Sequence, residues 1–411
     1  VLRLNNGRYC LETARDYPAW QHATALQLAA VPDDVVVLDE PDTCPQNRYS
    51  MSAADLHAHL SLALMEGCRG GKFWITRTGA WEPASGVAYR ETLRRNRGFH
   101  EALAALAPKW EGVRIPLPRN PPLSFACRGA GNAPMGWAWA AFGRFGVAYA
   151  FTADDRPVAA LAGDDSKRLP DEEIRELLKR GLLLDGNGAL ELTRRGFGEL
   201  IGARAEEWSG PVASFELLAD GKTRINAKIA AVKFAGLDPA AKIRSTLRHR
   251  AAALDDASAE VGAGAYVFKN KLGGTVAVLA DKLPESVSLD SFHFLNETRK
   301  RQVVALLGEL GDKSPYTPSD AEAMVRWGRA KDGTRLLAAF GSGHDDMPEL
   351  PLVFPAGDAP KDRQTFLFLA GVSWPFSCAK QRERGASGCA LALKCVRRAA
   401  VLFFLGLVYG G

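Results

Sequence analysis

Apolar residues along the first hundred positions switch between two spacings. In DYPAWQHATALQLAA (16–30), Pro18 suits a first helical turn, and Trp20, Ala23, Leu26, Leu28 and Ala30 recur broadly at helical spacing, which predicts a helix. VVVL (35–38) is a continuous apolar run of strand length. SAADLHAHLSLALMEGCRG returns to helical spacing, with Ser52 as the expected N-cap and a stop near Gly67 to Gly71. KFWITR (72–77) reads as a strand, TGAWEPASG as a loop, and roughly 87–107 as a further helix. Helix, strand, helix, strand, helix is the rhythm of a parallel sheet or barrel.

PLPRNPPLS (116–124) concentrates proline and marks an interdomain connection. The rhythm then restarts with VAYAF (147–151), VAALAG, the helix PDEEIRELLKRG, the strand LLLD (182–185) and GNGALELTRRGFGELIG. Pro170 at the start of that helix, acids in its first turn, and Lys179, Arg180 and Gly181 at its end agree with capping and macrodipole preferences. Between about 209 and 280, short runs such as SFELLAD, AYVFKNK and TVAVLA bounded by Gly and Asp predict strands. An amphipathic helix from Leu295 follows, then the strand-like RLLAAFGSG and LPLVF.

The chain has 411 residues, 47% of them hydrophobic, enough for a large core divided among two or three domains. Its net charge of +5 sits in residues 356–411, where eight Lys/Arg face three Asp/Glu; the remainder carries 44 of each sign. A phosphate-tracking stripe belongs on a folded face, so no nucleic-acid partner is expected. That tail mixes basic clusters, three cysteines and apolar bursts without a sustained period, and an out-of-frame origin is the preferred reading. Its apolar run 399–409 is shorter than the roughly 20 residues of a bilayer span, so no membrane partner is expected. VLRLNNGRYC carries no signal-peptide core, and seven cysteines without a CxxC pair fit a reducing, cytoplasmic setting.

The candidate chemistry lies at strand ends, where parallel α/β folds present reactive groups. Asp39 and Glu40 follow one strand; Thr76, Arg77, Trp81 and Glu82 follow the next. Carboxylates with a base and indole faces on one rim suit a pyranose, the acids for nucleophilic or acid–base work and the tryptophans for the apolar ring face.

LDEPDTCPQNRYS, followed by HAHLSLALMEGCRGGKFWITR and its WEPASG loop, resembles the last two βα units of family-42-type β-galactosidases and their relatives. The resemblance implies that Glu40 is the catalytic nucleophile of a retaining glycosidase. Asp39 should alternate to the opposite strand face, and Asp42 is the runner-up. It further implies Asn47 and Arg48 as rim residues and Trp74 and Trp81 as sugar platforms, with Arg77 and Glu82 as further sugar contacts. PDEEIRELLKRGLLLDGNGALELTRRGFGELIG is similar to the class I glutamine-amidotransferase-like domain that follows the barrel and supports trimers in that family. Where an active amidotransferase carries its nucleophilic Cys, this chain reads Asp185-Gly186-Asn187-Gly188, which excludes glutaminase chemistry.

The resemblance covers roughly 5–354 and implies an α/β architecture in four parts. These are the last βα units of a (β/α)₈ barrel (1–112), a flavodoxin-like, amidotransferase-like domain with a β-rich insertion (113–312), a small β region (313–355) and the tail (356–411). A complete barrel needs about 250 residues, and a retaining mechanism needs a second carboxyl about 5–5.5 Å from the first. The expectation is therefore a C-terminal portion without the general acid/base, with little activity alone. The alternative is a non-catalytic carbohydrate-binding or scaffold protein. Other residues receive plainer readings. His57 and His59 diverge on a helix and share no metal; His22 and His100 lie on helix surfaces; Trp137 and Trp139 alternate as in a core strand. CRGAGNAPMG is a loop, and TRKRQ (298–302) is a solvated helix face. Neither a metal nor a cofactor is expected.

Overall fold

The structure, a computed structural model, describes residues 2–4, 17–41, 52–73, 83–117, 136–250, 257–284, 289–318, 323–341, 351–355 and 365–369. It is a mixed α/β fold. Its first part contains β1 (Leu2–Leu4), α1 (Tyr17–Ala29), β2 (Val37–Asp39), α2 (Ala53–Glu66), α3 (Pro83–Arg95) and α4 (Arg97–Leu106). β1 and β2 are parallel, and Gly71 makes a further parallel bridge to Asp39, which gives two βαβ steps. Ser52 caps α2 as expected: its hydroxyl accepts from Asp55 N, and the Asp55 carboxylate accepts from Ser52 N. Gly67, at φ 126°, closes α2 in a conformation that an L side chain avoids.

The central sheet collects nine strands: β4 (Val113–Pro116), β5 (Tyr149–Thr152), β6 (Val158–Leu161), β7 (Gly181–Leu184), β9 (Phe215–Leu218), β10 (Arg224–Ile225), β12 (Lys242–His249), β13 (Ala259–Lys269) and β14 (Thr275–Leu279). Their order is β10-β9-β12-β13-β14-β7-β6-β4-β5. The run from β14 to β5 is parallel, and β13, β12, β9 and β10 extend it antiparallel. Strand alternation divides the apolar residues between two cores. Leu182 and Leu184 face α7 (Asp171–Leu178), α8 (Gly186–Arg194) and α9 (Gly198–Ile201), while Leu183 faces α10 (Glu297–Glu309) through Val303, Leu306 and Leu307. Two short helices, α5 (Gly143–Phe145) and α6 (Gly163–Ser166), precede β5 and α7, and β8 (Arg204–Glu207) and β11 (Val232–Ala235) form a separate ribbon.

A second sheet, ordered β17-β16-β15-β3, joins β15 (Ala323–Arg329), β16 (Arg335–Gly341) and β17 (Thr365–Leu369) to β3 (Lys109–Glu111). β17 puts residues 365–369 of the basic tail parallel to β16. Met324, Ala338 and Phe340 of this sheet share one core with Tyr17 and Trp20 of α1 and Leu56, Leu60 and Leu64 of α2. The same contact holds a buried polar clamp. Glu66 accepts from Gln21 Nε2 at 3.0 Å and from Arg326 at 2.8 Å, and Arg326 also donates to the Tyr149 carbonyl.

Several expectations need correction. β2 begins at Val37, not Val35; Val36 is 45% exposed, so the apolar run overshoots the paired segment. The 87–107 helix is two helices broken at Asn96. Trp137 and Trp139 are buried as expected, but in a helical segment that includes the π-turn Ala138–Phe142, so their spacing was no strand signal. His22 and His100 are buried, not on helix surfaces, because α1 and α4 are covered by neighbouring elements. Within TRKRQ, Arg299, Lys300 and Gln302 are also buried, since they satisfy carboxylates and carbonyls inside the fold.

Candidate active site

β2 ends where its neighbours stop holding it. Arg69 N donates to Val37 O at 2.8 Å, Asp39 N to Gly70 O at 3.0 Å, and Lys72 N to Asp39 O at 2.7 Å. Residue 39 is thus the last with both backbone groups engaged by the neighbouring segment. Val37 and Asp39 share the face that packs on the helices, Val37 among Leu56 and Leu60 and Asp39 against His59 of α2. Alternation assigns Leu38 and Glu40 to the other face. Asp39 is fully buried and Glu40 is 5% exposed.

The helix-side surroundings of Asp39 are polar and enclosed. His59 Nε2 lies 3.3 Å from Asp39 Oδ2, off the line of a good hydrogen bond, and neither ring nitrogen has a hydrogen-bond partner among the described residues. The imidazole lies against the Trp20 indole, ring centres 3.6 Å apart. Burial holds the His59 pKa well below the usual histidine range, so the ring is neutral. Cys68 is buried close by. Desolvation, reinforced by the Asp39 and Glu66 carboxylates, pushes its thiol well above its ordinary value, which leaves it a poor nucleophile.

His57 turns to another side of α2, as helical geometry demands of residues two apart. Its Nδ1 lies 2.9 Å from His100 Nε2 on α4. Burial, then the neighbouring His57, pushes His100 down to about 4. Among the described residues no group of three His, Cys, Asp or Glu could hold a metal ion. Asn47, Arg48, Trp74, Arg77, Trp81 and Glu82, with Asp42 and Thr76, lie outside the described residues. The structure therefore describes Glu40 and Asp39 alone among the strand-end candidates. His59 and Trp20 were missed by sequence reasoning; the available signal was a histidine on the helix following an acidic strand end, two turns before Glu66.

The second strand-end carboxylate, Asp185, terminates β7 at the elbow into α8. Its Oδ1 accepts from Gly188 N at 2.8 Å and its Oδ2 from Leu283 N at 3.2 Å. Burial raises its pKa to about 6, against the pull of these backbone donors. A Cβ on Gly186 would lie 2.3 Å from Ala280 O, and one on Gly163 would lie 2.6 Å from the Asn187 Cβ. At both glycines the elbow is closely packed. A cleft of about 540 Å³ lies elsewhere, along α10 and lined by Lys300, Val304, Tyr316 and Val353. It shares no residue with the β2 strand end.

No family model matches the chain, and no curated protein matches it in sequence. Among solved structures, it is similar to α-L-fucosidase isoenzyme 2 from Paenibacillus thiaminolyticus, with a TM-score of 0.48 and 13% identity over 74% of this chain and 49% of that one. It is also similar to the exo-β-1,4-mannosidase Op5Man5 from Opitutaceae bacterium strain TAV5, with a TM-score of 0.42 and 13% identity over 75% and 58%. The chain spans between about half and three-fifths of the length of these structures. No helix among the described residues is long and apolar enough to cross a membrane.

Proposed function

We propose that the chain belongs to a retaining glycosidase of β-galactosidase type and that Glu40 is its nucleophile. One observation carries this reading: at the end of a parallel strand, Asp39 is committed to the helix layer through His59, which assigns Glu40 to the opposite face. In a βα-barrel that face points inward, and at the C-terminal end of the strand it opens onto the mouth, where a carboxylate meets substrate. Asn47, Arg48, Trp74, Arg77, Trp81 and Glu82 complete the sugar-binding rim in this reading. Trimer formation through the amidotransferase-like region belongs to the same proposal.

The test uses a substrate that needs no general acid. In 2,4-dinitrophenyl 2-deoxy-2-fluoro-β-D-galactoside the leaving group departs as a stable anion. A Glu40 carboxylate oxygen forms an ester bond to the anomeric carbon while the bond from that carbon to the phenolic oxygen breaks, its electron pair leaving with dinitrophenolate. The fluorine slows hydrolysis of the ester. The expected result is one fluorogalactosyl group on the peptide containing Glu40, detected by mass spectrometry and absent in Glu40→Gln. An unlabelled protein that still binds galactosides, read by ligand-observed NMR, would instead identify a binding module.

A further inference from the structure

We propose that Asp39 and His59 form a positioning pair for Glu40, holding the strand-end peptide so that the neighbouring carboxylate is presented to the sugar rim. The inference rests on the reading of Glu40 as nucleophile and deepens it.

Residue 39 is held at both backbone groups, and its carboxylate contacts a buried histidine. Its N–H is bound by Gly70 O at 3.0 Å, its C=O by Lys72 N at 2.7 Å, and its carboxylate lies 3.3 Å from His59 Nε2. Glu40 is the next residue, so the plane of the 39–40 peptide sets the direction in which its side chain leaves the backbone. His59 is in turn held by the Trp20 face and by its place in the body of α2. Burying a histidine whose ring nitrogens find no hydrogen-bond partner among the described residues is costly for folding alone. An apolar residue against Trp20 would serve packing better, which points to a role at the strand end. Hydrogen bonds around a reacting group are commonly long before substrate arrives and tighten in the complex. The off-axis Asp39–His59 contact fits that state. The neutral imidazole orients the Asp39 carboxylate without adding a cation beside Glu40.

The experiment measures the rate of fluorogalactosyl labelling of the full 411-residue chain across pH, with thermal midpoints recorded for each variant. His59→Phe keeps a flat ring against Trp20 and removes the polar contact; His59→Gln keeps a donor. The expected result is a labelling rate lower by on the order of 100-fold in His59→Phe, the scale at which a misplaced reacting group loses rate, with a shifted pH midpoint. His59→Gln should recover most of that loss. His59→Phe labelling at the wild-type rate and pH midpoint would overturn the inference and leave the glycosidase reading standing. Should His59→Phe fail to fold, Asp39→Asn carries the same comparison, and wild-type labelling by that variant overturns the inference equally. A wild-type chain that is never labelled overturns both proposals.

Discussion

Among the described residues, the parallel strands β2 and β7 both lead into carboxylates, and the chain treats them differently. At the end of β7, Asp185 spends both oxygens on backbone N–H groups, caps α8 and sits among glycines whose backbones touch. At the end of β2, Asp39 lies 3.3 Å from a buried histidine with no hydrogen-bond partner among the described residues, and Glu40 follows it in the chain. A strand-end acid is thus not a catalytic signal in itself. The informative difference lies in the partner: backbone N–H groups at Asp185 identify a helix cap, whereas a buried histidine with no hydrogen-bond partner among the described residues is the kind of cost that function maintains.

The β7 side should behave as scaffold, and its largest liability is nearby. Arg299 is fully buried between Glu216 and Asp281, with both contacts at 2.7 Å. Burial pushes both carboxylates upward. The Arg299 charge and its hydrogen bonds, with those of Ser245 and Gln302, bring Glu216 below its ordinary value, whereas Asp281 stays raised. Arg299→Met leaves two buried carboxylates without their cation. It should cost about 3–5 kcal/mol, visible as a large fall in the urea midpoint. A loss below about 1 kcal/mol would show that water or rearrangement replaces the arginine, and that this region is not the rigid frame the comparison assumes.

Acid stability separates the two regions further. His22, on α1 against Trp139 and Phe151, has its pKa lowered from 6.5 to about 4 by burial. Between those values the unfolded chain binds the extra proton, so this contribution is present above pH 6.5 and is lost as pH falls through 4. Asp185 runs the other way: burial raises it from 3.8 to about 6, so its contribution is present below 3.8 and is lost as pH rises through 6. Each amounts to on the order of 3 kcal/mol, at about 1.4 kcal/mol per pKa unit. The contributions oppose each other over nearly the same window. His22→Phe should therefore make stability rise less, or fall more, between pH 4 and 6.5 than in the wild type, and Asp185→Ala should do the reverse. Parallel curves for both variants would remove the claim that these groups titrate against each other.

At neutral pH, Asp185→Ala also loses the α8 cap and leaves Leu283 N without its acceptor. A cost of about 1–3 kcal/mol is expected by chemical denaturation. Glu40→Gln is the matched probe at the other strand end, an isosteric change at the position proposed as the nucleophile. It should cost less than Asp185→Ala while abolishing labelling. Equal costs would make Glu40 another structural carboxylate.

Much of the frame was legible in the chain. Periodicity located α1, the capping signal placed the start of α2 at Ser52, and Pro170 with its acidic turn marked α7, because these features depend on local backbone chemistry. The failures were tertiary. His22, His100, Arg299 and Lys300 look like surface residues in a helical pattern, and only packing against other elements buries them. Val35 and Val36 look like strand, yet pairing starts at Val37, where β1 and residues 69–72 supply partners. Of the site, the carboxylate pair at the strand end was readable in the sequence; the division of Asp39 and Glu40 between two faces rests on strand alternation. The histidine beside Asp39 was not readable, since it comes from a helix twenty residues later and its role depends on the ring packing of Trp20.

The smallest expected effect is also the sharpest control on that histidine. Ser52 Oγ accepts from Asp55 N at 3.0 Å, and Tyr17 donates to Asp55 at 3.2 Å, so the α2 cap also ties down the start of α1. Ser52→Ala should cost about 1 kcal/mol and speed amide exchange in the first turn of α2. His59 lies more than a turn further along the helix, and its stacking on Trp20 does not involve the cap. Labelling of Glu40 should therefore keep its wild-type rate in Ser52→Ala while falling in His59→Phe. If a frayed first turn slows labelling as much as loss of the imidazole, the strand-end geometry follows the general stability of α2. The contrast between the two strand-end carboxylates would then be one of packing alone.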